Sequence, residues 1–296
     1  MSDDLQVMDR PPALPPRDRE GHKGSYGKVL VVGGSLGMIG APALAGLSAL
    51  RGGAGLVTLA VPACIQKQVV TLCPCATSIP LDSPGEQLGG AFGAQLDAAM
   101  DNNDVLAVGP GLDTGQAQRD LLGRALRRGL PAVIDADGLN TLARMDDWPG
   151  LRRGPVVLTP HPGEFARLSG KGIGEIQSDR QAAAVAAARQ WGAAGGNDNG
   201  PLVVVLKGAG TVVTDGRRVY VNPTGNPGMG TGGAGDVLTG LIAALLGQGL
   251  EPFDAAALAV RLHGLAGDLA AKARGEVSLI ATDLIDYLPQ AIRQYV

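Results

Sequence analysis

Residues Asn222 to Gly247, NPTGNPGMGTGGAGDVLTGLIAALLG, restrict the possible folds more than any other stretch. Six glycines fall between Gly225 and Gly235, with Pro227 among them, a composition that neither helix nor strand tolerates. The chain must form an open loop there, with backbone amides that no side chain shields. From Asp236 to Leu246 the sequence is almost wholly apolar and reads as a buried helix. A glycine loop running into a helix N-terminus offers free N–H groups and the positive end of the helix dipole, which together seat an anion. Asp236 stands in the first turn of that helix. An aspartate there is often only a cap, but each glycine of the loop costs chain entropy and argues for more than capping. A carboxylate beside an anion seat is placed to take a proton from a hydroxyl attacking phosphorus. The stretch reads as a phosphoryl-transfer site.

Upstream of it, short apolar strands alternate with helices. Met1 to Arg19 holds Pro11, Pro12, Pro15 and Pro16 and reads as a disordered or strapped-on tail, so residues 1–20 are set apart as flexible from one domain over 21–296. Strands are expected at Lys28–Val32, Leu56–Val61, Val105–Val108, Ala132–Ile134, Val156–Thr159 and Leu202–Leu206. Val212–Thr214 and Val219–Val221 flank Asp215-Gly216 as a hairpin. Helices are expected at Ala41–Arg51, Leu121–Arg128, Gln177–Trp191, Ala255–Lys272 and Thr282–Tyr295, with Pro80–Gly93 a loop and Gly195–Gly200 a mobile turn. The alternation predicts a doubly wound α/β domain, a mostly parallel sheet with helices on both faces. Five strands then end in glycine-rich or polar segments on one sheet edge, after Val32, Val108, Ile134, Thr159 and Leu206.

Those edge segments supply the remaining candidates. GGSLGMIG after Val32 lacks the dinucleotide spacing and the acidic residue that should end the next strand, so it reads as a tight turn or the lining of a substrate pocket. Asp135 and Asp137 lie where α/β enzymes bind ligands, although Asp137 could equally cap the following helix. His161 stands between two prolines with Glu164 three residues on, which favours a site role. Lys207 precedes glycines that suit close approach to a nucleotide, although a strand-end lysine commonly just snorkels.

Composition narrows the class. A net charge of −3 without a basic run gives nucleic-acid binding no support. Three cysteines without zinc-type pairing, and no signal peptide, fit a reducing cytoplasm. No apolar run is long enough to span a bilayer.

The P-loop pattern and the protein-kinase motifs are absent, while Gly233-Ala234-Gly235-Asp236 comes late in the chain, an arrangement that resembles the ribokinase-like superfamily. HKGSYG, GGAGLV, GPGL, DADGLN, LTPHPGE, VVLKGAGT, NPTGN and GTGGAGD, in this order from His22, resemble the ADP-dependent (S)-NAD(P)H-hydrate dehydratase family. The resemblance implies repair of hydrated NADH or NADPH (NADHX or NADPHX) with ADP as phosphoryl donor, releasing AMP and phosphate. It implies Asp236 as the catalytic base. Ala41, Gly111, His161 and Asp236 would bind the hydrate. Lys207, Gly208, Ala209, Gly210 and Thr211 would bind ADP, with Gly232, Gly233, Ala234 and Gly235 holding the transferring phosphoryl group. Glu164 would act on Mg²⁺ largely through water. A separate epimerase chain and a homotetramer, supported by the apolar helices 41–51 and 255–272, are further expectations. The sequence departs from the family's pattern at Asp113, where GPGL usually continues with glycine, and at Ala234, where glycine or threonine is expected. Two rival readings share the fold: an ATP-dependent kinase of a small alcohol, and a non-catalytic adenine-nucleotide-binding protein.

Overall fold

A computed structural model describes residues 5–83, 88–195 and 199–295. Residues 1–4 of the expected tail, 84–87 of the expected loop and 196–198 of the expected turn lie outside the described residues. Among the described residues, ten strands form one sheet in the order β1-β10-β9-β8-β7-β6-β5-β2-β3-β4. They are β1 (Gln6–Val7), β2 (Lys28–Val32), β3 (Leu56–Pro62), β4 (Thr77–Leu81) and β5 (Val105–Val108), then β6 (Ala132–Ile134), β7 (Val156–Leu158), β8 (Leu202–Leu206), β9 (Val212–Thr214) and β10 (Arg218–Val221). Among these ten, only β9 runs antiparallel to its neighbours β8 and β10. The tail's Gln6 and Val7 pair in parallel with Arg218 and Val219, which seats this segment along the sheet edge.

Alternation along each strand builds two cores. Val29 and Val31 of β2 face one, Leu30 and Val32 the other. The first core lies under α1 (Gly40–Arg51), α2 (Gln66–Leu72), α10 (Ala234–Gly247), α11 (Pro252–Arg274) and α12 (Ala281–Tyr295). The second lies under α3 (Phe92–Asp101), α4 (Gln116–Arg128), α5 (Asp137–Leu142), α6 (Trp148–Leu151), α7 (Pro162–Ser169), α8 (Ile173–Ser178) and α9 (Arg180–Ala194). Strands buried on both faces carry unbroken Val/Leu/Ile runs, as β8 does with LVVVL. The architecture is the expected doubly wound α/β fold.

The sheet places its binding edge by topology. From β2 the chain winds outward through β3 and β4, then returns to the other side of β2 as β5 and continues outward. The loops after β2 and β5 therefore diverge, and a crevice opens between them, the switch point where such sheets bind ligands. Gly33 shows how tightly the two loops meet, since a Cβ there would lie 2.3 Å from the Pro110 carbonyl oxygen. Helix α10 crosses the same edge, packed so closely on α1 that a Cβ on Gly240 would lie 1.9 Å from the Ala45 carbonyl oxygen.

Four departures from the sequence expectation stand out. Strand β4 contains Pro80, which is tolerated because β4 is an edge strand with one free side. Helix α3 begins at Phe92, inside the segment expected to be loop, and α2 lies where no helix was expected. The helix expected over Gln177–Trp191 is two helices, parted at Asp179, whose carboxylate accepts from the Ala182 amide and starts α9. Much of the apolar surface of α1 and α11 packs inside the chain, Ala43, Ala45, Ala257 and Leu258 being almost fully buried.

Candidate active site

The glycine loop ends where Gly233, at φ +90°, turns the chain into α10. A left-handed conformation there needs glycine, and a Cβ would also strike Leu44 of α1 at 2.6 Å. Ala234 already lies within α10 and is buried, so alanine suits it as well as the expected glycine or threonine would. Among the described residues, no protein acceptor takes the amides of Gly232, Gly233, Gly235 or Asp236. Four free donors at the N-terminus of a buried helix form the anion seat expected from the sequence. His263 of α11 supports it from below. Burial pushes its imidazole down to about 4, so the neutral ring donates through Nε2 to the Ala234 carbonyl at 2.9 Å.

Beneath the seat lies a buried ionic network. Lys207, at the end of β8, donates to Asp135 Oδ1 at 2.7 Å and stands 3.8 Å from Glu164 Oε2. Thr239, one turn into α10, donates to Asp135 Oδ2 at 2.7 Å, and so ties the helix to the end of β6. Burial alone would raise the Asp135 carboxyl, but the Lys207 ammonium and the hydroxyls of Thr239 and Thr159 hold it below its ordinary value. Burial likewise works to discharge Lys207, and the carboxylates of Asp135, Glu164 and Asp236 outweigh it and keep the ammonium charged. A Cβ on Gly235 would come within 3.2 Å of Lys207 Nζ, so only glycine lets the loop approach this cation without forcing it aside.

Asp236 is half-buried above this network. Burial, with the Asp135 carboxylate nearby, raises its carboxyl to about 7 against the opposing charge of Lys207. A carboxylate poised near neutrality is suited to accept a proton.

The crevice between the β2 and β5 loops holds Ala41 and Gly111 side by side. Gly111 has φ +64°, and a Cβ there would sit 3.2 Å from the Ala41 Cβ and 2.6 Å from the Met38 Cβ. Two residues on, Asp113 also has a left-handed φ of +65°, which explains why glycine is usual at this place and why aspartate is tolerated. Its amide donates to Asp137 Oδ2 at 2.9 Å. Asp137 is therefore the anchor of the β5 loop and not the cap of α5, whose N-cap is Ala136 in a strained positive-φ conformation (+49°).

His161 and Glu164 form a capping box at the start of α7. His161 Nδ1 accepts from the amides of Gly163 and Glu164, at 3.0 and 3.3 Å, and Glu164 Oε2 accepts from the His161 amide at 2.8 Å. His161 Nε2 stands 3.5 Å from Glu164 Oε1 on a half-exposed ring, so the outer ring edge beside that contact is the part open to a ligand. Burial lowers the His161 imidazole and raises the Glu164 carboxyl. No three of His, Cys, Asp and Glu converge as a metal cage among the described residues. Mg²⁺ commonly keeps several waters and takes its other ligands from phosphates, so Glu164 fits as an acceptor from metal-bound water and not as part of a cage.

Asp135, Thr239, His263 and Arg180 also belong to this edge, and of these Asp135 alone was a candidate from sequence. Asp135 carried the only usable signal, its place just past a strand. Thr239 and His263 lie among buried apolar residues of α10 and α11 with no local pattern to mark them, and Arg180 opens α9. No helix among the described residues is long and apolar enough to cross a membrane.

Comparison with known proteins identifies the family. Residues 29–290 match a family model described as NAD(P)H-hydrate dehydratase. A bifunctional NAD(P)H-hydrate repair enzyme Nnr from Moorella thermoacetica is 50% identical over 287 residues, covering 95% of this chain and 52% of that protein. The chain thus spans about half the length of the relatives it matches. The crystal structure of a Bacillus subtilis ADP/ATP-dependent NAD(P)H-hydrate dehydratase, co-crystallised with ATP and Mg²⁺, is 33% identical, superimposes with a TM-score of 0.80, and is covered to 95% by 96% of this chain. A ribokinase-like superfamily protein from Enterococcus faecalis is 25% identical with a TM-score of 0.82, over 99% of this chain and 96% of that one.

Proposed function

The chain belongs to the NAD(P)H-hydrate dehydratase family, and from that premise we propose that it dehydrates the S form of NADHX and NADPHX at the expense of ADP. Residues 21–296 would form the catalytic domain, with 1–20 appended to it. The observation that carries the reading is Asp236, a carboxylate raised to about 7 beside four free amides at the α10 N-terminus. That pairing suits deprotonation of an alcohol and stabilisation of a phosphoryl group in one place.

The hydrate carries a hydroxyl on the ring carbon next to nitrogen. Asp236 takes the hydroxyl proton while the oxygen forms a bond to the β-phosphorus of ADP and the bridging P–O bond breaks to release AMP. The ring nitrogen's lone pair then expels phosphate, and loss of a proton from the neighbouring carbon restores the double bond. The amides of Gly232, Gly233 and Gly235 hold the transferring group, with Ala234 between them. Lys207, Gly208, Ala209, Gly210 and Thr211 hold the nucleotide. Ala41, Gly111 and His161 hold the hydrate. Mg²⁺, bound by the nucleotide phosphates with Glu164 acting through water, supplies charge neutralisation. The hydrate's epimerisation is a separate activity of the same repair sequence. Homotetramer formation would follow from the family resemblance, and a cytoplasmic setting from the cysteine usage.

Phosphorus NMR of a turnover mixture containing hydrate, ADP and Mg²⁺ tests the reading. AMP and free phosphate are expected, whereas a stable phosphorylated alcohol would indicate the small-alcohol kinase instead. The pH profile has a defined sign. Asp236 must be ionised to act, so kcat should be flat above about pH 8 and fall toward tenfold per unit below pH 7. A profile flat down to pH 5 would remove Asp236 as the base.

His161 allows binding to be separated from capping. His161→Ala should raise the hydrate KM about 5-fold or more while also losing about 1 kcal/mol of cap stability. His161→Asn should recover the stability but not the KM. Unchanged hydrate KM in both variants would leave His161 as a cap only.

A further inference from the structure

Arg180 opens α9, and its guanidinium reaches across to the segment after β8. Its Nη1 donates to the Ala209 carbonyl, and its Nη2 donates to the carbonyls of Leu206 and Lys207 at 2.8 and 3.0 Å. Three carbonyls of one loop thus turn inward onto one cation. Gly208 lies flat against it at φ +144°, and a Cβ there would stand 2.8 Å from Arg180 Nη2. No carboxylate among the described residues forms an ion pair with Arg180, so its charge is directed at the loop alone. Where carbonyls are drawn to one side, the intervening amides face the other. The amides of Ala209 and Gly210 meet no protein acceptor among the described residues. Loop, cation and free amides together have the form of an anion cradle with a positive charge behind it.

We infer that Arg180 is the positioning residue for the nucleotide: it holds Lys207–Thr211 in the shape that binds a nucleoside diphosphate and governs affinity for that ligand, not for the hydrate. The inference rests on the reading of this loop as nucleotide-binding. A planar guanidinium spans three carbonyls at once, which a lysine ammonium at the same position cannot do with the same geometry. Charge and shape are therefore separable by substitution.

The test compares wild type with Arg180→Gln and Arg180→Lys, using calorimetric titration with ADP and Mg²⁺ and steady-state kinetics with ADP and hydrate varied in turn. Arg180→Gln should weaken ADP binding about 10-fold or more, and Arg180→Lys should weaken it about 3-fold or more despite keeping the charge. The hydrate KM at saturating ADP should stay within about 2-fold, and amide exchange should accelerate at residues 208–211 without change in α10. ADP affinity within 2-fold of wild type in Arg180→Gln would overturn the proposal. So would equal losses for ADP and hydrate, which mark a general structural support. Wild-type protein that takes up no ADP would instead overturn the nucleotide-loop reading, and this proposal with it.

Discussion

Asp236→Asn is expected to lower kcat about 100-fold or more with little change in KM for ADP or hydrate. The amide keeps the size and the hydrogen-bonding atoms of the side chain but cannot accept the hydroxyl proton. The same change should stabilise the protein. The folded state raises the Asp236 carboxyl to about 7, so it favours the protonated form. Stability from this group is greatest at low pH and declines as pH rises from the unfolded value near 3.8 through 7. At pH 8 the native state therefore carries an ionised carboxylate at a cost, discounted for partial exposure to about 1–2 kcal/mol. Removing it should raise Tm by roughly 2–6 °C at pH 8, with a smaller gain at pH 5. Lower activity together with higher Tm marks a residue kept for chemistry. Turnover within a few-fold of wild type would dismiss the base assignment.

The second large effect concerns Lys207. Lys207→Met should destabilise the fold by about 3–5 kcal/mol, because Asp135 is left ionised and buried with only hydroxyl partners. Asp135→Asn should be costly for the converse reason, since Lys207 then loses the closest of its counter-charges. The double variant Asp135→Asn/Lys207→Met removes both charges and should recover more than half of the loss, as a denaturation cycle would reveal. Neither the single nor the double variant should turn over normally, because the cation beside Gly235 is gone. Strictly additive costs would mean that the pair acts independently and that the network is not a unit.

Legibility from sequence followed the range of the interactions. Buried parallel strands announce themselves as short apolar runs, and β2, β5, β6 and β8 have the limits expected. The glycine loop before α10 was legible because six glycines leave no regular alternative. Strand β4 was hidden by Pro80, which is harmless only because β4 has a free edge, a fact of topology and not of local pattern. The α8–α9 break was hidden because Asp179 starts a new helix inside an otherwise helical composition. The least visible feature was the pairing of Lys207 with Asp135, residues 72 positions apart, whose meeting depends on the order of β6, β7 and β8 in the sheet. His161 and Glu164 were singled out together, and the structure finds their link in a capping box, a form that histidine seldom starts.

The central claim is best tested by the reduced nicotinamide's near-ultraviolet absorbance. The protein is incubated with prepared NADH hydrate and Mg²⁺, with ADP in one reaction and ATP in another. Recovery of the absorbance with ADP, abolished to about 1% by Asp236→Asn, is the expected result. No recovery with either nucleotide would contradict the account and require another acceptor for the phosphoryl group at Asp236.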